Sequence, residues 1–359
     1  MVIICCAVLF GIMVSASEKS IAARPDTLLP ADMSLKEISR KKLHHDNGRF
    51  INPLNSKHYR DFSEVLKWKF FSKNDFKQFY KDEQVIPVSI DWKRVENHKG
   101  LSVTFVTHAT VMIRDNGTSM LIDPVLFGLF WPIKDFTPLH EDIAQMPKPA
   151  YILITHGHYD HLDKKSLKQF VDSSHYISPL GYRDILEDIG AKNITELDWF
   201  DSHNDGPREI VLLPCNHWTM RNPLTGPNTA LWGSYIIKTS AGPTIYVSGD
   251  TAYFDRFSEI GNEFDIDLAI FNLGAYEPRW FMRKSHISPE DTVKAFVELG
   301  AKRLMVVHWG TFRLGDEPVY LPFLAIKEAM EKAGLADRLV EIKHGETLFF
   351  DEAPARILE

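Results

Sequence analysis

Short apolar runs separated by polar turns dominate the chain from residue 101 onward. Runs rich in β-branched residues and bounded by Gly, Pro or polar residues are typical of buried strands. The first three predicted strands cover residues 101–106, 110–114 and 119–123. The dipeptide Asn116-Gly117 separates the last two, and Asn-Gly favours a tight hairpin turn. The body of the protein is therefore predicted to begin with short strands.

Segments typical of helices follow these strands. Ser288-Pro289-Glu290-Asp291 is typical of a helix start, with a capping serine, a proline and two acids in the first turn. Strands and then helices occur in two rounds, at residues 101–190 and about 209–335. This order predicts an α/β fold in which two mixed β-sheets pack face to face, with helices on the outer faces and ligand-bearing loops along one edge. The predicted helices cover residues 164–171, 179–189, 289–299 and 321–332.

The first 100 residues differ from this pattern. Residues 1–14 are uncharged and apolar, and Val14-Ser15-Ala16 offers a small-residue cleavage pattern. A membrane span needs about 20 apolar residues. Residues 1–16 are therefore predicted to be a secretory signal peptide of an exported protein, with an uncleaved membrane anchor as the alternative. The polar residues 17–100 are predicted to form an N-terminal extension packed on a body of residues 101–350.

The composition is that of an ordinary globular protein. Of its 359 residues, 44% are hydrophobic and 25% are charged. The formal net charge of −7 argues against nucleic acid as a partner, because non-specific binders carry a broad basic face. Cys215 is the one cysteine beyond the predicted signal, so the mature chain can form no internal disulfide. We interpret it as a buried core thiol rather than a metal ligand.

Residues 156–161 have the sequence His-Gly-His-Tyr-Asp-His and directly follow an apolar run at residues 151–155. Such a dense group of imidazoles and carboxylates at a strand end predicts a metal site, because zinc prefers these ligands. His156 and His158 alternate and can reach one ion from the same side. Asp160 and His161 follow about one turn later and are better placed for a second ion.

Further apolar runs end on the ligand-type residues His217, Asp250 and His308. Together with the H-x-H-x-D-H sequence, this order of residues resembles the metallo-β-lactamase superfamily. The resemblance implies a metallo-β-lactamase-type αββα sandwich with two zinc ions at one edge of the sheets.

Several other motifs resemble one branch of that superfamily, the N-acylphosphatidylethanolamine-hydrolysing phospholipase D family and its bacterial relatives. The resemblance extends from about residue 44 to about residue 350. The motifs are His44-His45-Asp46-Asn47-Gly48-Arg49-Phe50-Ile51-Asn52-Pro53, Thr107-His108-Ala109-Thr110-Val111, Asn216-His217-Trp218, Leu231-Trp232-Gly233-Ser234, Ser248-Gly249-Asp250-Thr251, residues 271–282, His308-Trp309-Gly310-Thr311-Phe312 and Lys343-His344-Gly345-Glu346.

This resemblance implies a role for each ligand-type residue. Asp250 would bridge the two ions and contribute to catalysis, as the equivalent carboxylate does in the family's phosphodiesterases. A hydroxide bridging ions about 3.5–4 Å apart would then attack the substrate. The implied ligands are His156, His158 and His217 for the first zinc, and Asp160, His161 and His308 for the second.

Two further residues match family positions that contact the substrate. His286 is expected to bind the phosphate or to donate a proton to the leaving group, with a solvated loop histidine as the alternative. Tyr159 is expected near the substrate head group, with a packing role as the alternative. His108 and His344 are interpreted as core groups or as supports for ligands, because the seven implied ligands already fill both zinc sites.

The leading prediction is a di-zinc phosphodiesterase of phospholipase D type that hydrolyses N-acyl-phosphatidylethanolamine-like phospholipids to phosphatidic acid and N-acylethanolamine. A lactonase or small-phosphodiester hydrolase of the same superfamily is the first alternative, and a non-catalytic, zinc-stabilised binding protein is the second. A lipid substrate implies peripheral contact with a membrane. Residues 126–131 and 280–284 are the candidates for that contact, with ordinary core packing as the alternative. The sequence is also compatible with an oligomer.

Overall fold

The structure, a computed structural model, describes residues 33–54, 62–140, 143–222 and 224–352. The predicted signal peptide at residues 1–16 and the first part of the predicted extension lie outside the described residues. Within the described ranges, no helix is both long enough and apolar enough to cross a membrane.

We number the strands and helices of the described residues in chain order. The strands are β1 (His45–Asp46), β2 (Arg49–Phe50), β3 (Leu101–Thr107), β4 (Thr110–Asp115), β5 (Thr118–Ile122), β6 (Tyr151–Leu153), β7 (His175–Pro179), β8 (Ile194–Leu197), β9 (Ser202–Asp205), β10 (Arg208–Leu213), β11 (Ser234–Lys238), β12 (Thr244–Val247), β13 (Leu268–Asn272), β14 (Arg303–Val307) and β15 (Thr347–Phe349). The helices are α1 (Leu35–Arg40), α2 (Phe62–Leu66), α3 (Trp92–Asn97), α4 (Lys164–Leu167), α5 (Arg183–Asp188), α6 (Phe257–Glu263), α7 (Arg279–Met282), α8 (Pro289–Leu299) and α9 (Leu321–Lys332).

Two mixed sheets form the body. The first has the strand order β15-β3-β4-β5-β6-β7-β8, and the second has the order β14-β13-β12-β11-β10-β9. In the first sheet β3, β4 and β5 are antiparallel, whereas β5 to β8 run parallel to one another. In the second sheet β12, β13 and β14 are parallel and the remaining pairs are antiparallel. The predicted mixed sheets are thus confirmed.

Alternating side chains of β4 show how these sheets pack. Val111 and Ile113 belong to a buried cluster that also contains Leu212 of β10 in the second sheet. Met112, which lies between them, belongs to a separate cluster with Leu186 of α5. Because successive side chains of a strand point to opposite faces, β4 has the second sheet on one side and helices on the other. The predicted αββα sandwich is therefore confirmed.

The predictions for α8 and α9 are confirmed at residues 289–299 and 321–332. The hydroxyl of Ser288 accepts a hydrogen bond from the Asp291 amide at 3.2 Å, which caps the first turn of α8. Gly300 ends the helix with a φ of 62°, a left-handed conformation that glycine adopts without steric cost.

The two earlier helix predictions were too long. Pro179, predicted as the start of a helix, is the last residue of β7, and α5 begins only at Arg183. Gly181 lies between them with a φ of 95°, which is incompatible with a helix. In the other case α4 ends at Leu167, and the chain continues as a 3₁₀ turn at Lys168–Phe170.

The described residues of the N-terminal segment lie against the body. Nε2 of His44 lies 2.6 Å from an Asp198 carboxylate oxygen, and the ring stacks on Trp199. The indole of Trp68 donates to Asp316 at 3.0 Å. Asn52 follows the β1–β2 hairpin, and its amide donates to the His217 carbonyl at 3.0 Å. The segment therefore reaches a predicted metal ligand.

The carboxyl ends of four strands bring the predicted ligands to one edge. Strand β11 is antiparallel to both β10 and β12, so β10 and β12 run in the same direction. Strands β13 and β14 are parallel to β12, so β14 shares that direction. The residues that follow them include His217, Asp250 and His308, and β6 of the other sheet leads into the loop at residues 156–161. This common edge positions the site.

Candidate metal centre

Asp123, directly after β5, holds the loop that follows β6. Its carboxylate accepts hydrogen bonds from the amide of Thr155 at 2.8 Å and from the hydroxyl of Thr155 at 2.6 Å. Nδ1 of His161 lies 2.8 Å from the same carboxylate. Burial raises the pKa of Asp123, while the bonds from His161 and Thr155 oppose this effect. These contacts leave Nε2 of His161 pointing away from Asp123 and toward the predicted metal site.

His156, His158, His217 and Asp250 form a first cluster in which one ligand atom of each lies within 4.8 Å of the others. Nδ1 of His158 lies 2.8 Å from Nε2 of His156 and 3.3 Å from Nε2 of His217. Oδ2 of Asp250 lies 3.9 Å from Nε2 of His156 and 3.8 Å from Nε2 of His217. Four donors at these separations can surround one tetrahedral ion.

His108, Asp160, His161 and His308 form a second cluster by the same measure. Oδ2 of Asp160 lies at its centre, 3.5 Å from Nε2 of both His161 and His308. Nε2 of His108 lies 3.1 Å from the same oxygen. The structure thus brings together the three residues predicted for the second ion and adds a histidine that was interpreted as a supporting group.

The carboxylate of Asp250 lies between the two clusters. Its Oδ2 is 3.3 Å from Nε2 of His161, and its Oδ1 is 3.3 Å from Nε2 of His308. The same Oδ2 faces His156 and His217 of the first cluster. The amide of Asn272, at the end of β13, donates to Oδ1 at 3.0 Å and fixes the carboxylate plane. This is the position that a bridging ligand requires.

The protonation states of three first-cluster residues, His156, His217 and Asp250, suit a cation. Burial would raise the pKa of Asp250, but the neighbouring His161 and His308 outweigh it and hold this pKa well below its usual range. Burial also lowers the pKa of His156 and of His217 well below the usual value, assisted by nearby histidines. Ionised carboxylate and neutral imidazole are the forms that bind metal.

Unpaired buried nitrogens give a second test of this fit. Within the described part of the chain, Nε2 of His161 and Nε2 of His308 are buried without a hydrogen-bond partner. Leaving such an atom unsatisfied costs about 1–3 kcal/mol. Both atoms face the carboxylates of Asp160 and Asp250. A cation between these groups would use both lone pairs, so the residues fit a metal centre.

His286 lies beside the clusters. Its Nδ1 is 3.8 Å from Oδ2 of Asp250, and its side chain is 15% exposed. Its ring centroid is 5.4 Å from that of His217. The guanidinium of Arg279 donates to the His286 carbonyl at 2.9 Å and so fixes the loop backbone. An imidazole that reaches both solvent and the predicted metal site is suitably placed to contact a substrate.

Tyr159 lies in the loop between His158 of the first cluster and Asp160 of the second, and it is 48% exposed. Its hydroxyl donates to the Arg221 carbonyl at 3.0 Å, and the Arg221 guanidinium lies 4.3 Å from the ring centroid. Its ring meets Phe130 edge-on, with a centroid separation of 5.8 Å. The hydroxyl is therefore engaged by backbone, while about half of the side chain remains exposed beside the clusters.

Cys215 and His344 belong to neither cluster. The Cys215 thiol is buried and donates to the Asp250 carbonyl at 3.4 Å, and burial raises its pKa well above the usual value. His344 lies 2.9 Å from the Trp309 carbonyl through Nε2. Both residues pack behind the site.

Two supporting residues were not assigned from the sequence. Asp123 could have been noticed, because it ends the apolar run at residues 119–123 in the same way that Asp250 ends its own run. Asn272 also ends an apolar run, at residues 268–272, but no local pattern indicates that it pairs with Asp250 at another strand end.

Comparison with known proteins agrees with this geometry. Residues 118–309 match the family described as "Beta-lactamase superfamily domain". A Saccharomyces cerevisiae protein named "N-acyl-phosphatidylethanolamine-hydrolyzing phospholipase D, mitochondrial" is 33% identical over 250 residues, which cover 66% of this chain and 53% of that protein. The chain therefore spans about half the length of this relative. "N-acyl-phosphatidylethanolamine-hydrolyzing phospholipase D 1" of Caenorhabditis elegans is 31% identical over 255 residues, covering 66% of this chain and 71% of the relative.

The fold also matches solved structures. A metallo hydrolase from the archaeon Ignicoccus hospitalis superposes with a TM-score of 0.55 at 19% identity, over 70% of this chain and 99% of the other. This likeness concerns the fold alone. With the matched family covering more than half of the chain, the strand-end histidines and carboxylates identify the protein as a member of the β-lactamase superfamily of metal-dependent hydrolases.

Proposed function

We propose that the protein is a di-zinc phosphodiesterase of phospholipase D type, acting on N-acyl-phosphatidylethanolamine-like phospholipids. The observation that carries this proposal is the carboxylate of Asp250, which faces His161 and His308 on one side and His156 and His217 on the other. A carboxylate in this position suits two ions about 3.5–4 Å apart, an arrangement that phosphodiester hydrolysis uses. The names of the yeast and nematode relatives support the same substrate class.

In this proposal the protein groups hold and orient rather than form covalent bonds. His156, His158 and His217 would bind one ion. Asp160, His161 and His308 would bind the other, and the Asp250 carboxylate would be shared by both. Bound zinc supplies charge neutralisation for the phosphoryl oxygens and activates water at neutral pH. The oxygen of water would bond to phosphorus while the bond from phosphorus to the ethanolamine oxygen breaks. The products would be phosphatidic acid and an N-acylethanolamine.

His286 would act on the substrate from the side of the loop before α8. Its Nδ1 lies 3.8 Å from Oδ2 of Asp250, so a phosphoryl group beside that carboxylate would lie within its reach. It would either donate a hydrogen bond to a phosphoryl oxygen or protonate the departing alkoxide. Tyr159 would contribute its exposed ring to binding of the head group.

Exposed apolar side chains near the cleft would contact the lipid surface. Phe130 and Trp131 are 59% and 76% exposed, and Phe130 touches Tyr159. Trp280 is 37% exposed, and the ammonium of Lys67 lies 5.2 Å from its ring centroid. Aromatic side chains combined with cations favour the interface of an anionic membrane. Within the two segments expected to meet lipid, Leu126, Phe281 and Met282 are buried in the core, so the proposal rests on the exposed aromatic residues alone.

Hydrolysis assays on three substrates test the proposal. The purified protein should release an N-acylethanolamine from N-acyl-phosphatidylethanolamine, and a chelator should abolish this activity. A simple phosphodiester and a lactone serve as comparison substrates. Efficient turnover of the lactone with none of the phospholipid would instead support a lactonase. No turnover of any substrate by zinc-loaded protein would support a binding protein and would contradict the proposal.

Membrane contact needs a separate test with vesicles containing an anionic phospholipid. Trp131→Ser should lower the fraction of protein that sediments with the vesicles, because it removes an exposed aromatic side chain. Leu324→Ser is the matched control, since Leu324 is 54% exposed but lies on the outer helix α9. Equal vesicle binding by the two variants would contradict a role for residues 126–131 in membrane contact.

A further inference from the structure

His108 occupies the tight turn between β3 and β4, and its backbone is tied to the second cluster. Its φ is 46°, in the left-handed region that few non-glycine residues adopt and in which Asn, Asp and His are enriched. Its amide donates to the hydroxyl of Thr311 at 2.8 Å. Its carbonyl accepts a hydrogen bond from the amide of His308 at 2.7 Å. The turn thereby fixes both the direction of the His108 side chain and the backbone of the cluster residue His308.

The ring of His108 is fully buried against the same cluster. It packs on His308 with a centroid separation of 4.1 Å and on Phe312 at 4.8 Å. Its Nε2 lies 3.1 Å from Oδ2 of Asp160. A carboxylate oxygen accepts hydrogen bonds, so the proton of the neutral imidazole lies on Nε2. A nitrogen that carries this proton has no lone pair to offer an ion.

We propose that His108 is a positioning residue of the second metal cluster. It orients Asp160 through the Nε2–H donor and His308 through its own backbone carbonyl and ring. The inference rests on the proposed dinuclear centre and extends it to a residue outside the seven predicted ligands. Its consequence is selective, because the Nε2 atom, the ring and the backbone carbonyl of His108 all meet residues of the second cluster, so His108 should govern mainly the affinity of the second ion.

Zinc binding tests this inference without an activity assay. Wild type, His108→Ala and His108→Gln would be loaded with zinc and equilibrated against buffers of graded free zinc, and bound zinc per chain would then be measured. In the alanine variant the second ion should bind about 10–100-fold more weakly, the usual effect of losing a group that orients a ligand. The first ion should keep its wild-type affinity.

His108→Gln separates a positioning role from direct ligation. The glutamine amide can donate a hydrogen bond to Asp160 in place of the imidazole, but a neutral amide is a poor ligand for zinc. The glutamine variant should therefore recover most of the second-site affinity. If the alanine variant does not fold, as judged by circular dichroism, His108→Leu replaces it, because leucine fills the buried volume without a hydrogen-bond donor and should lose the same second-site affinity.

His344→Ala is the matched control. His344 is also a largely buried imidazole, it packs on Phe105 and Trp309, and its Nε2 lies 2.9 Å from the Trp309 carbonyl. Losing it should leave both zinc affinities unchanged.

Four results would overturn the inference. The first is an unchanged affinity for the second ion in the alanine variant, and the second is an equal loss of affinity for both ions. The third is the same loss of affinity in His344→Ala, and the fourth is a glutamine variant that binds the second ion as weakly as the alanine variant. A wild type that binds only one ion would remove its dinuclear basis. A wild type that binds two ions but does not cleave phosphodiesters would contradict the proposed substrate while leaving this test valid.

Discussion

Nδ1 of His217 lies 2.9 Å from the backbone carbonyl oxygen of Ser285. A carbonyl only accepts, so Nδ1 carries the proton of the neutral ring and Nε2 keeps a lone pair for a metal. Ser285 immediately precedes His286 in the loop before α8. One hydrogen bond therefore sets the tautomer of a predicted metal ligand and also holds the loop that brings His286 to the cleft.

Asp250→Asn should be the most damaging single substitution at the metal centre. It replaces the charged carboxylate between the clusters by a neutral amide, which weakens the attraction to both ions. We expect bound zinc to fall below two ions per chain and hydrolytic activity to fall at least about 100-fold. Metal analysis of the purified protein and an activity assay measure the two effects.

Asp255→Asn is the control for this substitution. Asp255 lies five positions further along the chain, its side chain is 88% exposed, and it contacts only Arg256 among the ion pairs of the described residues. Its loss should change neither zinc content nor activity. Near-normal zinc and activity in Asp250→Asn would mean that Asp250 is not a bridging ligand.

Asp123→Asn should weaken the binding of the second metal ion more than that of the first. Nδ1 of His161 lies 2.8 Å from the Asp123 carboxylate, which sets the direction in which Nε2 points. An asparagine keeps the shape but removes the charge that holds this imidazole. Loss of such a partner typically lowers metal affinity by 10–100-fold. Competition with a chelator measures the affinity of each ion separately. Equal affinity for the second ion before and after the substitution would contradict this role.

The meeting of the predicted ligands at one edge could be anticipated from the sequence, because each follows a β-branched run. His217, Asp250 and His308 follow β10, β12 and β14, and parallel direction alone brings such strand ends to one edge. The bounds of helix α8 could also be predicted from the sequence, because the serine that caps its start and the glycine that ends it lie next to the helix in the chain.

The remaining features depend on contacts between distant parts of the chain. Nε2 of His108 meets Asp160 across 52 positions, and no local pattern records that distance. The start of α5 was misplaced because Pro179 is compatible with a helix start, whereas pairing with β8 keeps this residue in β7. Both the contact of His108 with Asp160 and the start of α5 therefore depend on hydrogen bonds between segments that are distant in the chain.

Acid should destabilise the protein in part through His344. Burial lowers its pKa from the usual value near 6.5 to about 4, and the bond to the Trp309 carbonyl only partly opposes this. Between these two pH values the unfolded chain binds a proton that the folded chain does not. The free energy of unfolding should therefore fall as the pH decreases, by at most about 1.4 kcal/mol per pH unit from this residue.

His344→Gln tests this contribution, because glutamine does not titrate. Urea unfolding at several pH values between 7 and 4 should give a shallower decline for the variant than for the wild type. His140→Gln, at an exposed histidine, is the control for the loss of an imidazole as such. Parallel curves for wild type and His344→Gln would show that His344 titrates alike in the folded and unfolded chain.

His286→Ala should lower kcat and leave both metal ions bound. Its Nδ1 lies 3.8 Å from the Asp250 carboxylate, close enough to act on a substrate but outside the two clusters. General acid–base groups contribute typically 10²–10⁴-fold to the rate. His140→Ala, at an exposed loop histidine, should change neither kcat nor zinc content.

The leaving group then distinguishes the two roles of His286. A nitrophenolate departs as a stable anion and needs no proton, so a nitrophenyl phosphodiester should partly rescue the variant if His286 is the acid. It should give no rescue if His286 binds the phosphate, because every phosphodiester needs that contact equally. Comparing kcat of wild type and variant on the phospholipid and on the nitrophenyl ester measures this difference. Unchanged rates on both substrates would exclude His286 from the reaction and leave protonation to another group in the cleft.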